Sequence, residues 1–245
     1  MMLRVEHLSH AYGTTSVLSD VCFNVAAGSS VGLIGPNGGG KSTILNIISG
    51  ALRPAAGGVW LGDIDLLRLS PHDVSRQGII RLPQRPVLSK DLNSYNNISL
   101  GIYHSNSNMG LRWSETTPEL IQRAAARCSL SSKQLRAFPR DLSFFEQRMV
   151  ELARCIVARP NLLLLDETTS GFTEDERLRT SEILQSFKPD TTTILVEHDV
   201  DLVRRLSDHV IALAHGKVLA GGMPEEVLNH PAVAEAYLGK AHAAN

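Results

Sequence analysis

Apolar positions in this chain recur in two rhythms, and the places where one gives way to the other outline the elements. Residues 3–8 and 17–25 alternate as strands joined by a turn at Gly13. A short strand at 30–34 runs into a glycine-rich loop. An apolar helical pattern then extends from Lys41 to about Ser49 and is stopped by Gly50 and Pro54. Val59-Trp60-Leu61 reads as a strand, and Ser70-Pro71-His72-Asp73 as a helix start with proline at the first helical position. Ile79-Ile80-Arg81-Leu82-Pro83 reads as a buried strand ended by proline.

From Gln84 to about Arg140 strand signals vanish, a polar turn is expected at Ser105-Asn106-Ser107-Asn108, and helical spacing returns over Glu119–Cys128. Residues 143–158 place Met149, Leu152, Ala153, Ile156 and Val157 on one helical face. Leu162-Leu163-Leu164-Leu165 is a continuous apolar strand, as a parallel sheet covered on both faces requires. Helix 173–187, strand 192–196, helix 199–207, strands 209–214 and 217–220 and a helical tail from Pro224 complete the chain. Strands alternating with helices predict an α/β sheet with right-handed crossovers. The stretch from roughly 85 to 158 reads as a helical insertion, because the sheet pattern resumes after it; no internal repeat is present.

Composition narrows the class without changing this outline. The chain has 245 residues, 43% hydrophobic and 20% charged, which suits one large domain with a subdomain. A net charge of −1 and no long basic run do not favour bulk electrostatic binding of nucleic acid. Cys22, Cys128 and Cys155 lack metal-ligand or redox spacing and are expected as reduced core thiols in a cytosolic protein. The start, Met1 to His7, has no apolar signal region, and no apolar run approaches a bilayer span, so a membrane role is expected only through a partner.

The candidate chemistry centres on Gly35-Pro36-Asn37-Gly38-Gly39-Gly40-Lys41-Ser42-Thr43, placed between a strand and a helix. Glycines let successive amides converge on one anion, and the helix adds the positive end of its dipole. Lys41 supplies a charge for the β- and γ-phosphates, and Ser42 a hydroxyl for Mg²⁺. A nucleoside triphosphate is therefore the expected ligand. Four further residues sit at the C-terminal ends of predicted strands, where such sheets place ligands. Asp166 is a metal carboxylate, and Glu167 a base or orienting group for water. Gln84 is an amide able to bridge metal and water, and His198 a donor to the γ-phosphate. Tyr12, beside the first turn, is either a half-buried strand-end aromatic or a ligand contact.

In this order and spacing, the whole chain resembles the ATPase subunits of ATP-binding-cassette (ABC) transporters. The resemblance implies a RecA-like P-loop NTPase core with an antiparallel β subdomain and an inserted helical subdomain, making a single cassette over 1–245. It implies Tyr12 stacking on adenine, residues 35–43 as Walker A, Gln84 as Q-loop, Asp166 and Glu167 as Walker B and catalytic glutamate, and His198 as switch histidine. It also implies ATP and Mg²⁺ as ligands, membrane permease subunits and a second ATPase subunit as partners, and a place on the inner face of the cell membrane. No nucleic-acid partner is expected, since soluble cassettes of that kind usually carry two cassettes or basic extensions. Val196-Glu197-His198-Asp199, Ser170–Glu176 and the ending His230–Gly239 resemble importers of branched-chain amino acids and of urea or short amides.

One stretch departs. The family's Leu-Ser-Gly-Gly-Gln signature, which clasps ATP on the opposite subunit, reads Leu142-Ser143-Phe144-Phe145-Glu146 here. Ser143 keeps one hydroxyl donor. Phenylalanine at 145 is expected to crowd the phosphate and to oppose a conformation that glycine allows. Thr168 stands where proline is usual after the glutamate, and Thr173 where aspartate is often found. The groups acting on the chain's own ATP are intact, whereas those lent to a neighbour are altered. That division leads to the expectation of an asymmetric pair with a different ATPase subunit, against an ordinary homodimer or a regulatory cassette that turns over poorly.

Overall fold

The computed structural model describes residues 1–109 and 117–238. Its frame is a six-stranded sheet built from β3 (Ser30–Ile34), β6 (Ile79–Leu82), β7 (Leu162–Asp166), β8 (Thr192–Val196), β9 (His209–Ala214) and β10 (Lys217–Gly222). The order is β10-β9-β3-β8-β7-β6, and only β10 runs antiparallel. Against it lies a four-stranded antiparallel sheet, order β2-β1-β4-β5, from β1 (Leu3–Tyr12), β2 (Thr15–Val25), β4 (Ala56–Leu61) and β5 (Ile64–Asp65).

The run of four leucines has a simple cause. Leu162 and Leu164 face one core, shared with the antiparallel sheet and α1 (Lys41–Ile48). Leu163 and Leu165 face a second core under the helices. β8 and β9 divide in the same way, with Ile194, Val196, Ile211 and Leu213 on one side and Leu195, Val210 and Ala212 on the other. A strand buried on both faces cannot alternate with polar residues, so period two is silent there.

Register brings the strand ends level. Leu82 pairs with Leu165, Asp166 with Val196, and Leu33 with Val196 as well. The segments leaving β3, β6, β7 and β8 therefore emerge along one edge.

The stretch after β6 is helical: α3 (Ser94–Met109), α4 (Thr117–Arg127), α5 (Ser132–Arg136) and α6 (Phe144–Ala158), with α2 (Pro71–Arg76) before it. The turn expected at 105–108 is a correction: α3, packed on α6 at Gly101, runs on through it, because extending a formed helix costs less than starting one and outweighs the weak helix preference of Ser and Asn. The first hairpin is also longer than its hydrophobic pattern, continuing through polar residues to Tyr12 and from Thr15. After β7 come α7 (Glu174–Gln185), α8 (Val200–Leu206), α9 (Pro224–Leu228) and α10 (Pro231–Leu238); Gly239 of the quoted ending lies outside the described residues. Cys128 and Cys155 are buried, and burial pushes both thiols up to about 12. Cys22 is exposed, contrary to the expectation of three core thiols, because it sits on a solvent face of β2. Among the described residues no helix is long and apolar enough to cross a membrane.

Two buried polar links fix the edge. Arg148 of α6 donates to the carbonyls of Pro83 and Gln84, each at 2.7 Å, and to Glu151 at 2.6 Å; Glu151 in turn accepts the Val87 amide at 2.7 Å. Glu197, after β8, accepts the Thr168 hydroxyl and the Thr169 amide, both at 3.2 Å. Burial pushes the Glu197 carboxyl above its ordinary range, and those two donors only partly offset it.

Truncating Arg148 to Ala strands a buried carboxylate and two backbone carbonyls. It should cost about 3–5 kcal/mol in urea unfolding. Glu197→Gln tests the second link. A carboxyl whose affinity for a proton is higher in the folded chain loses stability as pH rises through its folded value. The glutamine variant should therefore melt about 2–4 °C higher than the parent at pH 8, with the gain shrinking as pH falls toward the ordinary carboxylate range.

Candidate active site

The loop after β3 is shaped by contacts no side chain could share. A Cβ on Gly35 would lie 2.0 Å from the Leu213 carbonyl of β9, and Gly35 has φ +147. At Gly40, φ +99, a Cβ would meet Leu18 Cδ2 at 2.5 Å. The loop thus packs against β9 on one side and the hairpin on the other, and delivers Lys41 as the first residue of α1. Gly40 provides no side-chain cap, and the N-terminal end of a helix favours an anion. Lys41 is buried, and its ammonium donates to the carbonyls of Gly35 (2.7 Å) and Pro36 (3.0 Å).

At the end of β7 two carboxylates part company. Asp166 is still in register. Its Oδ1 accepts the Ser42 hydroxyl at 3.2 Å, and its Oδ2 accepts Arg81 Nη2 at 2.7 Å. Glu167 keeps one more ladder bond, donating its amide to the Val196 carbonyl at 2.8 Å, but takes φ +50. That left-handed turn swings its side chain between two neighbours. Oε1 lies 2.8 Å from His198 Nε2, and Oε2 accepts the Gln84 amide at 3.0 Å.

Glu167 and His198 share one cavity of about 470 Å³ with the loop, and Asp166 and Gln84 connect to it through Ser42 and Glu167. Tyr12 and Val17 form its hairpin wall, residues 37–43 its floor, and Glu167 and His198 its far side. Tyr12 is 50% exposed, with His10 edge-on to it at 4.7 Å, so much of its ring is open to a ligand. A positively lined loop for phosphates, an aromatic wall and a carboxylate with a histidine make up a nucleotide-sized site. The donor set also suits a hard cation: the Ser42 hydroxyl and Asp166 Oδ1 converge on one point and both offer oxygen. Gln84 turns its amide to Glu167 in this arrangement.

Ser143 is not brought to this cavity. It caps α6, accepting the Glu146 amide at 3.2 Å while Glu146 accepts the Ser143 amide at 2.7 Å. These bonds hold the Glu146 carboxyl below its ordinary range. Ser143 lines a different cavity, against the start of α7. Phe144 and Phe145 are the first two residues of α6, and neither has positive φ. The expectation that 145 opposes the backbone conformation is therefore a correction, because a helical first turn accepts any Cβ. What the phenylalanines add is bulk: both rings pack edge-on against the buried Phe172, at 5.9 and 5.3 Å, and Phe144 remains 42% exposed.

Sequence reasoning passed over Arg81, Arg148 and Glu197 as functional candidates. The signal for the first two was a charge inside an apolar pattern, in a β-branched strand and on the inner face of an amphipathic helix.

Comparison with known proteins agrees with this geometry. The profile of the ABC transporter family matches residues 18–170, and that of the branched-chain amino acid ATP-binding cassette transporters matches residues 217–243. The high-affinity branched-chain amino acid transport ATP-binding protein LivG of Salmonella typhimurium is 32% identical, with 98% of each chain covered. BraF of Pseudomonas aeruginosa, described in the same words, is 31% identical over the same shares. Among solved structures, the ADP conformation of MJ1267, an ATP-binding cassette of an ABC transporter, superposes with a TM-score of 0.82 at 26% identity, covering 97% of this chain and 98% of that one. The chain belongs to the ABC transporter family, as one of its ATP-binding cassette ATPases.

Proposed function

We propose that this chain hydrolyses ATP on behalf of an importer of branched-chain amino acids, docked through a permease on the inner face of the cell membrane. The observation that carries the catalytic part is the strap of Glu167 and His198 facing the phosphate loop across one cavity, with Gln84 bonded to Glu167. The substrate class rests on likeness to LivG and BraF and on the matched C-terminal stretch.

In this reading the loop amides and Lys41 hold the β- and γ-phosphates, with the ammonium exchanging the Gly35 and Pro36 carbonyls for phosphate oxygens. Ser42 and Asp166 hold Mg²⁺, whose charge, when bound, offsets that of the phosphates. Tyr12 stacks on the base. Glu167 orients the attacking water and takes its proton, while His198, released from Glu167 Oε1, donates to the γ-phosphate. Gln84 reports the state of that strap to the permease.

The pair is asymmetric in the same proposal. Residues serving this chain's ATP converge, whereas the stretch offered to a second cassette presents the exposed ring of Phe144 beside Ser143. A partner with an intact signature would complete this site, and the partner's own ATP would turn over slowly.

Steady-state ATPase assays of the chain alone test both parts. The parent should be slow, and Phe144→Gly/Phe145→Gly should raise its rate about a hundredfold, the order lost when a phosphate-site donor is removed. Adding Glu167→Gln or Lys41→Ala should abolish the gain. Brisk turnover by the parent, unaffected by the glycines, would show that the chain serves as its own partner.

A further inference from the structure

Arg81 is the one charged residue of β6, and its guanidinium points toward the metal carboxylate. Nη2 lies 2.7 Å from Asp166 Oδ2, and Nη1 donates to Asn46 Oδ1 of α1. The two side chains are only 22% and 11% exposed, so the pair is poorly screened by water. Arg81 Nε is buried without a hydrogen-bond partner. The guanidinium is therefore held by Asp166 and Asn46 and not by a full set of bonds of its own. Asp166 in consequence has two faces. Oδ2 is committed to a fixed cation, and Oδ1 is turned to Ser42, where a metal would enter.

We infer that Arg81 is a positioning residue that shares Asp166 with the metal: it sets the rotation of the carboxylate, and its charge keeps metal affinity low enough for release in each cycle. This rests on the Mg²⁺–nucleotide reading of the site. The guanidinium is a fixed positive charge on one oxygen of the carboxylate, and a metal ion on the other oxygen meets its repulsion with little water between them to screen it. Losing one hydrogen bond to the carboxylate works in the opposite direction, by about fivefold. Charge is the larger effect, so a neutral residue here should tighten metal binding. When the metal leaves, the guanidinium also spares Asp166 from standing as a bare, nearly buried anion.

The experiment is a linkage measurement on the full chain. Affinity for a non-hydrolysable ATP analogue is measured with and without Mn²⁺, and the ratio reports how much the metal contributes. In Arg81→Gln that ratio should rise about tenfold, the repulsion of the guanidinium being gone. In Arg81→Lys, which keeps the charge, it should stay near the parent's. Arg81→Met, of similar reach, carries the same expectation as the glutamine should that variant fold poorly. A ratio unchanged or reduced in both neutral variants overturns the inference and leaves the nucleotide reading intact. A parent chain that binds no analogue, or whose binding ignores Mn²⁺, overturns the Mg²⁺–nucleotide reading, and this inference with it.

Discussion

The arrangement depends on what the backbone does at the end of β7. Four buried strand residues bring Asp166 into register with Val196, and one residue later Glu167 leaves the ladder at φ +50 while its amide still bonds to Val196. A non-glycine residue held there costs on the order of 1–3 kcal/mol, and the surroundings must impose it. The imposition is visible. Glu167 is gripped by Gln84 and His198 on one side, and the following Thr168-Thr169 turn is tied to the buried Glu197. Without that turn the two carboxylates would lie on opposite faces of a strand.

A second property follows from the first. Each charged group at the edge already has a partner. Lys41 bonds to carbonyls of its own loop, Asp166 to Ser42 and Arg81, and Glu167 to Gln84 and His198. A ligand therefore binds by exchange of partners. Arg148 extends the connection, since the helix beginning at the signature stretch also holds the carbonyls of Pro83 and Gln84. The helix that Phe144 and Phe145 begin is thus hydrogen-bonded to the segment that carries Gln84.

Much of this was legible because glycine, proline and charge are informative where the backbone is constrained. The loop 35–43 could be read residue by residue, since Gly35 and Gly40 stand where a Cβ collides. Strand ends could be placed because Asp166 and Glu197 interrupt continuous apolar runs. Other features were not legible. Helix α3 contains Ser and Asn that favour turns locally, and the helix already formed before them carries on through them. The backbone at Phe145 could be misjudged because a motif's glycines say what a family permits, not which φ this chain adopts. Arg81 and Glu197 act through partners 85 and 29 residues away, a separation that no local pattern encodes.

The most direct test of the account is calorimetric titration of the purified chain with ATP and Mg²⁺, beside Lys41→Ala. The account predicts one site per chain in the parent and loss of binding in the variant, because the ammonium now held by Gly35 and Pro36 is the one the phosphates recruit. No saturable binding by the parent, or equal binding by both, would contradict it.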